Sequence, residues 1–73
     1  MNFSTKDIAE YIVMLIAAFA RRYSLSDAEA YSYLNRYGVI KWAHGFYDVM
    51  HTLSFDDMVD GTAAYCRRKG GSL

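Results

Sequence analysis

The sequence has no proline, a single cysteine (Cys66) and no net charge, its eight Lys+Arg balancing eight Asp+Glu. Each shortage excludes something. One thiol cannot close an internal disulfide, and an uncross-linked chain suits a reducing compartment such as the cytoplasm. Without a surplus of positive charge no long-range field draws the chain toward phosphate or an acidic bilayer, so neither nucleic acid nor a membrane is the expected partner. Long apolar runs are also missing. The longest, Tyr11 to Ala20, covers about half of the ~20 residues a helix needs to cross a bilayer. Asp7 and Glu10 stand where a basic leader would precede a signal-peptide core, and no small-residue cleavage site follows, so the run belongs to the fold. Strict alternation of β-branched residues is absent too, which leaves strands without support.

What is present is oily and short. Seventy-three residues make one domain, residues 1–73. A chain of this size buries only ~60% of the surface its unfolded form exposes. Yet 53% of the residues are hydrophobic and seven are Tyr. That is more apolar surface than a few short elements hide by themselves, and it points toward association.

Helix starts recur along the chain. Ser4 is followed three residues later by Asp7, Ser26 by Glu29 and Ser54 by Asp57. This is the capping-box spacing, in which the serine oxygen accepts an orphan backbone N–H; Asp is a weaker reciprocal partner than Glu. Acids gather at these starts and bases at the ends (Arg21 and Arg22; Arg36; Arg67, Arg68 and Lys69), the order the helix dipole favours. Gly38 and Gly70 suit the left-handed residue just past a helix end. The pattern predicts an all-α, compact four-helix domain with helices at about 5–23, 27–37, 40–52 and 55–69.

Helical spacing then assigns the core. Ile8, Ile12, Leu15, Ile16, Phe19 and Tyr23 form one stripe on the first helix; Ala30, Leu34 and Tyr37 form one on the second, flanked by Tyr31 and Tyr33. Phe55, Val59, Thr62 and Cys66 form one on the fourth, beside Met58, Ala63 and Tyr65. Cys66 lies mid-stripe, as a small hydrophobe and not a nucleophile. The first helix has a surplus: Val13, Met14, Ala17 and Ala18 point away from its stripe. They are the candidate interface for a homodimer or a different protein, the alternative being a helix wedged centrally in a monomer. Tyr33 and Trp42 are candidate exposed anchors, since aromatic rings bury area at little entropic cost; the competing view is that both complete the core.

The third helix breaks the charge order, with Lys41 near its start and Asp48 near its end. Its apolar arc is Val39, Trp42, Ala43, Phe46, Tyr47, Val49 and Met50, bordered by Lys41, His44, Asp48, His51 and Thr52. The i,i+4 and i,i+3 spacings let His44, Asp48 and His51 meet. The favoured reading is a structural polar cluster of His44, Asp48, His51 and Thr52, in which Asp48 bonds an imidazole or the Thr52 hydroxyl while His51 and Thr52 help end the helix. A metal site would need a fourth ligand, and the only remaining Cys or His is Cys66. Acid–base catalysis by His51 would need a nucleophile and a pocket of ~300 Å3 that four short helices rarely enclose. No catalytic residue, metal or cofactor is therefore expected. Gly45, mid-helix, marks a close backbone crossing or a bend.

From Phe46 to Gly70 the chain resembles a family of small uncharacterised bacterial proteins, a domain of unknown function. The shared feature is a Tyr-Asp-x-hydrophobic-His-Thr motif, matched by Tyr47, Asp48, Met50, His51 and Thr52. The stretch from Leu25 to Ile40 resembles the family's second helix and glycine turn. Gly61, Ala63 and Ala64 depart from the pattern, which has bulkier apolar residues there. The resemblance implies a cytoplasmic antitoxin, immunity protein or adaptor for a toxin-like enzyme encoded nearby, of the ADP-ribosyltransferase-like kind among others. Composition and resemblance together favour a non-enzymatic protein-interaction module, a homodimer that also binds a toxin-like enzyme. The alternatives are a helix-turn-helix-like DNA-binding regulator built on the second and third helices and, behind it, a metal-dependent enzyme using the third-helix cluster.

Overall fold

A computed structural model describes residues 4–73. The chain forms four helices and, among the described residues, no strand: α1 (Thr5–Tyr23), α2 (Asp27–Arg36), α3 (Val39–Met50) and α4 (Phe55–Arg68). The three serines cap as their spacing requires, each accepting the N–H three residues on, at 3.0 Å from Asp7 and 3.1 Å from Glu29 and Asp57. Only Ser26 and Glu29 close a full box, the Glu29 carboxylate accepting from the Ser26 N–H at 2.8 Å. The shorter aspartates do not reach back.

Helix ends follow from left-handed residues. Gly38 (φ 79°) turns the chain between α2 and α3, and Gly70 (φ 105°) ends α4. There the Gly71 N–H bonds the Cys66 carbonyl at 2.9 Å and the Gly70 N–H bonds the Arg67 carbonyl at 3.1 Å, the two bonds of a Schellman motif. α1 stops the same way without a glycine: Ser24 takes φ 56°, and the Leu25 N–H reaches the Ala20 carbonyl at 2.8 Å.

α1 packs against all three other helices. Its stripe supplies Ile12, Leu15 and Phe19 to a core completed by Ala30 and Leu34 of α2, Val39, Ala43 and Met50 of α3, and Met58, Val59, Ala63 and Cys66 of α4. Tyr11 and Ala20 are buried as well, so the buried arc of α1 is broader than the expected stripe. Cys66 is fully enclosed, and burial pushes its thiol up from the ordinary value, which keeps it protonated and inert. Arg22, at the end of α1, donates to Asp60 and, at 3.3 Å, to Asp56 of α4, so its guanidinium joins two helices as well as serving the dipole.

α3 is not straight. Phe46 leaves helical dihedrals (φ −118°, ψ 18°), one residue after Gly45. A Cβ at Gly45 would meet no atom within 4 Å, so the glycine marks the bend and not a close crossing.

Candidate apolar docking surface

The bend divides the apolar arc of α3. Val39, Ala43 and Met50 are buried, whereas Trp42, Phe46 and Val49 are exposed by 39%, 47% and 56%. Leu53, in the turn before α4, continues them at 49%. The spacing 42, 46, 49, 53 is that of a single helical stripe, and this stripe faces solvent. The apolar arc read from the sequence is thus only partly core: Phe46 and Val49 face solvent, and Trp42, the candidate anchor, is exposed with them. Eight apolar positions in a twelve-residue helix exceed what one face of a small bundle covers, and that excess width was the available signal.

Rings brace the stripe from the side. Trp42 stacks on Phe46 with centroids 4.9 Å apart and lies near-parallel to Tyr65 of α4 at 6.3 Å. Arg68 and Lys69 sit over the Tyr65 ring at 5.9 and 5.2 Å. Between α3 and α4 runs a groove of about 250 Å3, walled by Val39, Trp42, Leu53, Met58 and Tyr65, with Asp57 and Arg68 at its rim. Gly61 lines it, and a Cβ there would meet nothing within 4 Å, so the absent side chain helps keep the groove open.

The α1 surplus face is smaller than its four residues promise. Val13 and Met14 are exposed, but Ala17 and Ala18 are half-buried, and Ala18 packs against the core. Met14 lines a shallow surface with Tyr47, Leu53 and Phe55, which brings the α1 face up to the turn that carries Leu53. Tyr33 is half-buried, not an exposed anchor. Its ring stacks on Phe19 at 5.8 Å, and its hydroxyl accepts the Leu73 N–H at 3.2 Å.

The polar residues of α3 are placed differently from one another. His51 Nδ1 donates to the Tyr47 carbonyl at 2.7 Å, and its ring stacks on Tyr47 at 4.8 Å. The Thr52 hydroxyl donates to the Val49 carbonyl at 2.7 Å. These two add a second donor to last-turn carbonyls of α3 that already accept the His51 and Thr52 N–H groups. Among the described residues no hydrogen bond or ion pair joins Asp48 to either histidine or to Thr52; His51 Nδ1 and the Thr52 hydroxyl are engaged by backbone carbonyls within one turn. His44 and Asp48 are exposed, and among the described residues no group of three His, Cys, Asp or Glu side chains is placed to hold a metal ion.

Fold and surface together define a small all-α four-helix protein with an exposed apolar face on α3. By sequence it belongs to the family described as protein of unknown function (DUF3791), whose model matches residues 10–69. No curated protein and no solved structure matches the chain significantly. Among the described residues no helix is long and apolar enough to cross a membrane.

Proposed function

We propose that the protein is a cytoplasmic protein-interaction module that associates with itself and docks onto a second protein, in the role of an antitoxin or adaptor for a toxin-like enzyme encoded nearby. The observation that carries this reading is the solvent-facing stripe of Trp42, Phe46, Val49 and Leu53. Four large apolar side chains in one row are costly to leave hydrated, and such patches mark contact sites. The exposed Val13 and Met14 of α1 supply a second, smaller face.

The helix-turn-helix alternative finds less support on the same helix. A recognition helix presents Arg, Lys, Asn or Gln to base edges, whereas the outward face of α3 presents aromatic and aliphatic groups with Lys41 as its one Lys or Arg. The test is a pull-down from the native host alongside a gel-shift on the gene's own promoter at near-physiological salt. The expected result is capture of the neighbouring gene's product, lost with Trp42→Ala or Met14→Glu in variants that stay folded. A sequence-specific shift with nothing captured decides for the regulator.

A further inference from the structure

We propose that the α3/α4 face is covered by a second copy of this chain, the two α4 helices lying antiparallel across a two-fold axis that passes midway between Gly61 and Ala64. This rests on the interaction reading above and assigns a partner to one of its faces.

α4 has two unlike sides. Its core side carries Met58, Val59, Thr62, Ala63 and Cys66. At about 100° per residue, the opposite side carries Asp57, Gly61, Ala64 and Arg68. Asp57 and Arg68 are eleven residues apart, about three turns and ~16 Å, so an acid and a base mark the two ends of one stripe. Asp56 and Asp60 are engaged by Arg22 of α1, and the Arg67 guanidinium donates to the Leu73 carbonyl. Asp57 and Arg68 form no ion pair among the described residues, and both stand at the rim of the apolar groove.

A two-fold axis relates residue i of one copy to residue j of the other and j to i. In an antiparallel pair centred between positions 61 and 64, Asp57 of each copy meets Arg68 of the other, and Gly61 meets Ala64. One register satisfies both charges and places the smallest side chains where the helices come nearest. The α4 dipoles then oppose, so each positive helix start lies beside the partner's negative end. Close approach at Gly61 seats each copy against the groove wall formed by Trp42 and Tyr65, removing that apolar surface from water. A different protein would satisfy the charges only by carrying this same pattern; the chain itself already carries it.

The experiment is sedimentation equilibrium on the intact protein, with circular dichroism to confirm helical content. Wild type is expected to be dimeric at about 100 μM, and Asp57→Arg and Arg68→Asp, which set like charges opposite each other, to weaken the dimer at least about tenfold. Mixing the two variants is expected to restore dimers, because each then meets its opposite on the other chain. Gly61→Gln provides a variant that keeps its fold: the position is open in the single chain, and Gln is the better helix former, yet its side chain holds two α4 helices apart. Monomeric Gly61→Gln supports the proposal even where a charge reversal fails to fold. A wild type that stays monomeric at that concentration overturns it, and if such a monomer still captures its neighbour, the interaction reading stands without it. A dimer that survives Gly61→Gln, or reversed chains that do not pair on mixing, also overturns it; a dimer lost only with Met14→Glu would move the self-contact to α1.

Discussion

The Tyr11 hydroxyl donates to the Met50 carbonyl at 3.1 Å, a buried bond between residues 39 positions apart in the chain. The same ring stacks on Phe55 at 5.1 Å and meets Tyr47 edge-on at 5.4 Å, so one side chain of α1 fastens the end of α3 and the start of α4 together. Burial, and then the neighbouring Tyr47, pushes its phenol up from the ordinary value. Tyr11→Phe keeps the ring and removes the bond. The Met50 carbonyl still accepts the Leu53 N–H at 3.1 Å, so no acceptor is orphaned. Chemical denaturation is expected to show a loss of about 0.5–1.5 kcal/mol; a loss well above that range would mean that the ring had moved as well.

Ser24 holds a left-handed conformation that glycine takes without steric cost. Ser24→Gly is therefore expected to stabilise the protein by about 1 kcal/mol, read as a raised denaturation midpoint with unchanged slope. An unchanged midpoint would place the strain elsewhere.

Gly71 makes the opposite case. A Cβ there would collide with the Tyr33 hydroxyl and lie 2.9 Å from the Cys66 carbonyl. Gly71→Ala must displace the tail, breaking the bond from the Leu73 N–H to Tyr33. The expected loss is about 1–3 kcal/mol, and tyrosine fluorescence should report it.

The capping box of α2 is the acid-sensitive device. The Ser26 backbone N–H, and then its hydroxyl, hold the Glu29 carboxyl below its ordinary value. A depressed carboxyl contributes stability that is fully present above the unfolded-state value and is lost as pH falls through the folded one. Melting temperature should thus drop as pH goes from about 5 to about 3, the range spanning the ordinary Glu value near 4.3. Part of the drop should vanish in Glu29→Gln, which keeps an acceptor without titrating. Identical acid profiles for the two proteins would assign the sensitivity to other carboxylates.

His44, Asp48 and His51 offer a metal test. Chelation of the purified protein is expected to leave its melting unchanged, because His51 Nδ1 is held by the Tyr47 carbonyl and His44 and Asp48 stand apart in solvent. Stoichiometric zinc retained through dialysis and lost in His44→Ala would reverse that assignment.

Much of the fold was legible because it rests on local rules. Serine caps, terminal charges and the two left-handed glycines act within one turn, and they located all four helices to within two residues. The core stripes were legible for the same reason. What sequence spacing does not carry is competition for a limited interior. Phe46 and Val49 share an apolar arc with Val39, Ala43 and Met50 by period, yet only the latter three are buried, and Phe46 and Val49 lie exposed beside the candidate anchor Trp42. Tyr33 went the other way, drawn in by a tail forty residues downstream. Asp48 could be placed on a face with two histidines, but only the geometry shows that His51 Nδ1 and the Thr52 hydroxyl bond nearby carbonyls instead.

The bend at Phe46 also sets where this molecule is easiest to open. Amides beside a residue that leaves helical dihedrals are expected to exchange with solvent sooner than those on either side. The bend lies within the row of apolar side chains that any docked chain would press upon. Deuterium uptake at Phe46 and Tyr47 is consequently a built-in gauge of occupancy: slowed uptake on adding a partner would locate contact on this face without a label, and unchanged uptake would send the search to the far side of α1.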